Sequence, residues 1–161
     1  MAVRIPLVIV NGQIEQLQSG DTLSVASQFA ISQTNGESSV ALVIGMPVYP
    51  NGTADTVKRA EANSSSTQKV AGLWASTSTA ASGSGSMQYG GVLVATTVQW
   101  GAVITGAPSG LTAGAQYYLD AATPGYITST PPTTAGQFVC PIGVALDTTS
   151  MSINIQNTVA L

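Results

Sequence analysis

Residues 138–146 read Phe138-Val139-Cys140-Pro141-Ile142-Gly143-Val144-Ala145-Leu146, and residues 151–156 read Met151-Ser152-Ile153-Asn154-Ile155-Gln156. In the second stretch Met151, Ile153 and Ile155 alternate with Ser152, Asn154 and Gln156. That is the period of two of a half-buried strand, not the 3.6 of a helix. In the first, alternation places Phe138, Cys140, Ile142, Val144 and Leu146 on one face. Pro141, Gly143 and Ala145 fall on the other, where another backbone can approach closely. A polar turn over residues 147–150 separates the two strands.

Working outward, residues 116–120 and 126–129 form two further strands joined across Pro124-Gly125. Residues 87–97 form a strand interrupted at Gly90-Gly91 by a bulge or hairpin turn. The Ser/Thr/Ala/Gly run over 76–86 reads as an ordered but mobile surface loop, and 69–76 as a strand. Residues 55–62 suit either a strand or a short helix capped by Asp55; the β-like surroundings favour the strand. Residues 40–48 are a buried strand closed by Tyr49-Pro50-Asn51-Gly52. The polar stretch 24–39, with Asn35-Gly36, reads as a linker. Residues 3–10 and 13–18 form a hairpin across Asn11-Gly12, both of which tolerate the positive φ of a type I′ turn. Its first strand is apolar on both faces, and Pro6 places it at a sheet edge or bulge. The expectation is an all-β protein: a compact antiparallel β-sandwich or barrel-like domain over residues 40–161, preceded by a hairpin arm and linker over residues 1–39.

Composition narrows the function. Of 161 residues only 7% are charged, against about 25% in ordinary globular domains. Ser, Thr, Gln and Asn supply the polarity, so much of the surface is expected to face protein. The net charge is −3, and the only cations are Arg4, Lys58, Arg59 and Lys69. A phosphate backbone needs several converging cations, which argues against nucleic acid as a partner. The apolar start is too short to span a membrane and lacks a signal-peptide cleavage site. One cysteine, Cys140, permits no intramolecular disulfide and implies no oxidising compartment.

The chain has no histidine. The commonest general base, the histidine-dependent nucleophile pairs and most zinc sites go with it. Glu15, Asp21, Glu37, Asp55, Glu61, Asp120 and Asp147 remain, nearly all beside turn residues, where capping is the ordinary role. Cys140 reads as a buried structural thiol. The Ser82-Gly83-Ser84-Gly85 run lacks the Lys and helix of a phosphate-binding loop, and no calcium-loop pattern occurs. Tyr117 and Tyr118 must point to opposite sheet faces, so one belongs to the core. Trp74 and Trp100 read as core fillers or interface anchors. No catalytic residue, metal or cofactor is expected.

Two stretches resemble bacteriophage structural proteins. Residues 4–12, with Ile14-Glu15-Gln16-Leu17 and Ser19-Gly20-Asp21-Thr22-Leu23, resemble the amino terminus of phage virion proteins. Residues 110–120, Pro124-Gly125-Tyr126-Ile127-Thr128, Ile142-Gly143-Val144-Ala145-Leu146 and Met151-Ser152-Ile153-Asn154-Ile155 are similar to a small β-module of phage head-decoration proteins, head fibres and tail fibres. The resemblance implies a non-enzymatic virion component, commonly trimeric. With no long shaft in the sequence, it points to a capsid decoration (cement) protein on the outer head surface, assembled in the host bacterial cytoplasm. The major capsid protein and further copies of the chain would be its partners, through Val3, Ile5, Leu7, Ile9 and Leu17 of the apolar leader. The alternative is a short tail-fibre or receptor-binding tip for a host surface glycan; a glycan depolymerase trails both.

Overall fold

The computed structural model describes residues 29–106 and 109–161, and the backbone of residues 7–10 and 13–16. In chain order the strands are β1 (Leu7–Val10), β2 (Gln13–Gln16), β3 (Ala30–Asn35), β4 (Leu42–Val43), β5 (Pro47–Pro50), β6 (Thr56–Arg59), β7 (Gly72–Trp74) and β8 (Ser78–Thr79). There follow β9 (Ser84–Gln88), β10 (Gly91–Val94), helix α1 (Thr97–Gly101), β11 (Gln116–Leu119), β12 (Ile127–Thr128), β13 (Phe138–Val139), β14 (Pro141–Ala145), β15 (Ser150–Ile153) and β16 (Val159–Ala160). Among the described residues the protein is all-β apart from one short helix.

Five strands close a barrel in the order β3-β6-β5-β7-β9. Val48, Val57 and Met87 are buried on one face of its wall and Leu73 on the other. Close packing there depends on absent side chains: a Cβ on Gly72 would sit 2.6 Å from the Gln88 carbonyl oxygen, and one on Gly85 would collide with the Trp74 ring. The Trp74 indole N–H donates to the Thr79 hydroxyl at 3.2 Å. Burying this ring therefore leaves no donor unmet.

A second sheet, ordered β10-β15-β14-β11-β12, shares one continuous core with the barrel. Met151, Ile153, Ile142, Ala145, Tyr117 and Leu119 point inward. The chain passes from barrel to sheet at Gly90-Gly91, over which the Phe29 ring lies. Gly91 adopts φ +72, open to glycine without strain. Between the sheet's strands, α1 starts at a capping box: Thr96 Oγ1 accepts from the Gln99 N–H at 3.2 Å, and Gln99 Oε1 from the Thr96 N–H at 2.8 Å. The helix presents Trp100 to the core, against Gly45.

Four particulars differ from the reading of the sequence. Residues 24–39 are not all linker: Ala30–Asn35 is a barrel strand paired along its length with β9, so a boundary at residue 40 would cut through the barrel. Its polarity misled because buried Asn35 spends its side chain locally, donating to the Val40 and Thr79 carbonyls and accepting from the Glu37 N–H. The single strand expected over 40–48 is two, parted at Gly45 (φ +90). Pairing is antiparallel except for β3 with β6 and a parallel bridge between Ile104 and Ile127. Finally, Val144 and Leu146 are exposed rather than facing inward with Ile142. Tyr117 pairs with Gly143 but Tyr118 with Pro141, so Ile142 is the extra residue of a bulge and the alternation changes phase there.

The strand favoured over 55–62 is present as Thr56–Arg59, and the pair across Pro124-Gly125 is the β11–β12 hairpin. The loop expected over 76–86 holds β8 and the start of β9.

Candidate interaction surface

Among the described residues, Glu37, Asp120, Asp147 and Cys140 lie apart and each has its own local partners or burial. Glu37 accepts from the Arg59 backbone N–H at 3.0 Å and its guanidinium at 3.2 Å. Asp120 is buried at the β11–β12 turn, accepting from the Thr105 hydroxyl and from the Ala122 and Thr123 N–H groups. Asp147 accepts from the Thr149 and Ser150 N–H groups at 2.6 and 2.8 Å and from the Thr149 hydroxyl at 2.7 Å. Those bonds favour its charged form and hold its pKa below the usual carboxylate range. Burial pushes the Cys140 thiol up, against a smaller opposing hydrogen bond from Thr158. Tyr117 is core, its hydroxyl accepting from the Thr112 N–H at 3.0 Å, while Tyr118 is half-buried. The Trp100 indole donates to the Thr149 carbonyl at 2.8 Å. Among the described residues no three His, Cys, Asp or Glu side chains gather as metal ligands.

Of the residues expected to make the interface, Leu7 and Ile9 lie on β1, where they pair with Gln16 and Ile14 of β2. Val3, Ile5 and Leu17 fall outside the described residues. The β1–β2 pair forms a two-stranded sheet of its own, an arrangement only marginally stable in water without further cover.

A second apolar surface was not foreseen. On the outer face of the five-stranded sheet, Val92 pairs with Ser152, Ser152 with Val144, and Val144 with Gln116. The next row sets Val94 against Ser150, whose carbonyl accepts from the Leu146 N–H at 2.8 Å. Val92, Val94 and Leu146 are 47%, 62% and 54% exposed. Val98, on α1, is exposed further still. None of β10, β14, β15 and α1 contains a charged residue. Clustered exposed apolar side chains without charge mark an interaction surface rather than a solvated face.

Three hollows lie elsewhere on the described surface, one of about 390 Å³ beside Cys140, Ile155 and Thr158. Another, of about 410 Å³, opens at the barrel end between Ile31, Pro50, Val57, Ala71 and Met87. A third, of about 280 Å³, is hydroxyl-rich, walled by Thr105, Thr128, Thr130 and Thr133 around Asp120. Compared with known protein families, curated proteins and solved structures, the chain matches none.

Proposed function

We propose that the chain is a non-enzymatic structural protein of a phage virion, a capsid decoration protein that binds the outer head surface and works through protein–protein contact. The observation that carries this reading is the exposed apolar surface of Val92, Val94, Val144 and Leu146, in a chain whose leader adds another apolar strand. Burying apolar area contributes roughly 25 cal/mol per Å², and strands without charged residues incur little desolvation penalty. The resemblance of residues 4–23 and of stretches within 110–155 to phage head and tail proteins, together with the lack of a long shaft, favours the major capsid protein as partner, with further copies of the chain beside it. Mixed with undecorated capsids and sedimented, the protein should pellet with them and raise the temperature at which the heads rupture. Protein left in the supernatant at saturating capsid would overturn the reading.

A second reading rests on the threonine-lined hollow at Asp120, whose hydroxyls suit a sugar. A receptor-binding tip would bind host surface glycan in preference to capsids, and the same preparation tests both.

A further inference from the structure

Among the described residues, the five-stranded sheet has one covered edge and one with no neighbouring strand. Along β12, the Thr105 N–H donates to the Ile127 carbonyl and the Ile127 N–H to the Val103 carbonyl, both at 2.9 Å, so residues 103–105 cover that edge. On the opposite edge, among the described residues, β10 has β15 on one side only. The Ala95 N–H bonds the Thr149 carbonyl at 2.9 Å. Bonded pairs alternate along an antiparallel ladder, so Leu93 and Gly91 exchange bonds with Met151 and Ile153, and Val92 and Val94 do not. The other side of β15 agrees. Leu146 bonds Ser150, and the Asn154 N–H bonds the Ile142 carbonyl at 2.9 Å, which commits the Ser150 and Ser152 backbone to β14. Val92 and Val94 thus aim their N–H and C=O groups away from the sheet. Edge strands are ordinarily guarded by charge, proline or a bulge. β10 reads Gly91-Val92-Leu93-Val94 in unbroken register and has none of these.

We propose that β10 pairs with β10 of a second copy of this chain, antiparallel about a twofold axis, joining two five-stranded sheets edge to edge. The occupant follows from the register. A twofold axis at Leu93 sets Val92 opposite the second copy's Val94, and these are the residues whose backbone groups point outward, so four backbone hydrogen bonds form. No charge on either strand opposes the approach. Four residues bury far less than the about 1,600 Å² of a standard interface. Association is therefore reversible, with mass rising from one chain to two between about 1 and 100 µM. The proposal stands on edge geometry and not on the virion reading, so failure to bind capsids leaves it untouched. Its twofold stoichiometry also departs from the trimer that the phage resemblance implies.

Sedimentation velocity on the full chain, V92P and V94K tests it. Proline is tolerated on an edge strand where the lost N–H faces away from the sheet, and circular dichroism checks each fold; V94K decides should V92P misfold. The expected result is a doubling of mass in the parent and a single chain in both variants at about 100 µM. The Val92 and Val94 amides should exchange more slowly as concentration rises. A single chain throughout, a mass of three chains, or a doubling that survives V94K overturns the proposal. So does protection of these amides that is independent of concentration and vanishes when residues 2–18 are deleted, which would assign the edge to the chain's own leader.

Discussion

Gly143 and the carbonyl of Ser152 are so close across the β14–β15 ladder that a methyl group at position 143 would collide with the carbonyl oxygen and lie 3.2 Å from its carbon. The obstacle is backbone, held by its own ladder bonds, and cannot swing aside.

Gly143→Ala should accordingly lower stability by about 3 kcal/mol, as overpacking against an unyielding neighbour does. Urea unfolding followed by circular dichroism reads the change. Gly114→Ala is the contrast. At φ +78, with nothing within 4 Å of the added carbon, it should cost only backbone strain, about 1 kcal/mol. Equal losses at both positions would show that β15 yields.

Asn35→Ala removes two donated bonds and one accepted bond from a fully buried side chain. Leaving the Thr79 and Val40 carbonyls without their partner should cost about 2–4 kcal/mol. The loss should appear as a lower urea midpoint with the slope of the transition unchanged.

The lowered pKa of Asp147 makes its contribution dependent on pH. A carboxyl whose folded pKa lies below its unfolded value stabilises fully above the unfolded value, about pH 4, and loses that effect as pH falls through the folded one. Asp147→Ala should therefore melt lower than the parent at pH 7, and the gap should narrow below about pH 4. Melting temperatures across pH 2–7 would show it; a constant gap would count against the charge.

Cys140 is 1% exposed and its thiol is pushed up by burial. Alkylation at about pH 8 should thus be slow in the folded protein and fast in urea. A mass shift within minutes under native conditions would contradict the packing around β13 and β14.

Deleting residues 2–18 removes β1 and β2, which pair with each other. The barrel and sheet should keep their circular dichroism, while co-sedimentation with capsids falls sharply. Loss of the folded signal would make the leader part of the body's core.

The β character was legible wherever one strand face is buried and the other wet, as Met151 and Ile153 against Ser152 show. What escaped reading was decided across strands. Val144 and Leu146 turn outward because β14 bulges against β11, and no feature of residues 138–146 alone announces that. β3 was hidden by its polar residues, since Asn35 looks like a loop residue until Thr79 and Val40 are seen to meet it. The capping pair Thr96 and Gln99 marks a helix start in the sequence, but a helix of five residues is too short to show an apolar periodicity of its own. The exposed surface of Val92 and Val94 depends on which sheet face the barrel covers, and that is a property of the assembled fold.

The passage at Gly90-Gly91 also sets an order of events during synthesis. Ala30 pairs with Gln88, so the barrel can close once that residue has left the ribosome. β10, next to emerge, pairs with residues 150–153 near the far end of the chain. Until they are made it remains bare on both sides, a valine-rich strand beside an already folded barrel. Nascent chains on one message would carry that strand at high local concentration, when mispairing between neighbours is easiest. Slower translation after residue 94 should therefore reduce the soluble yield.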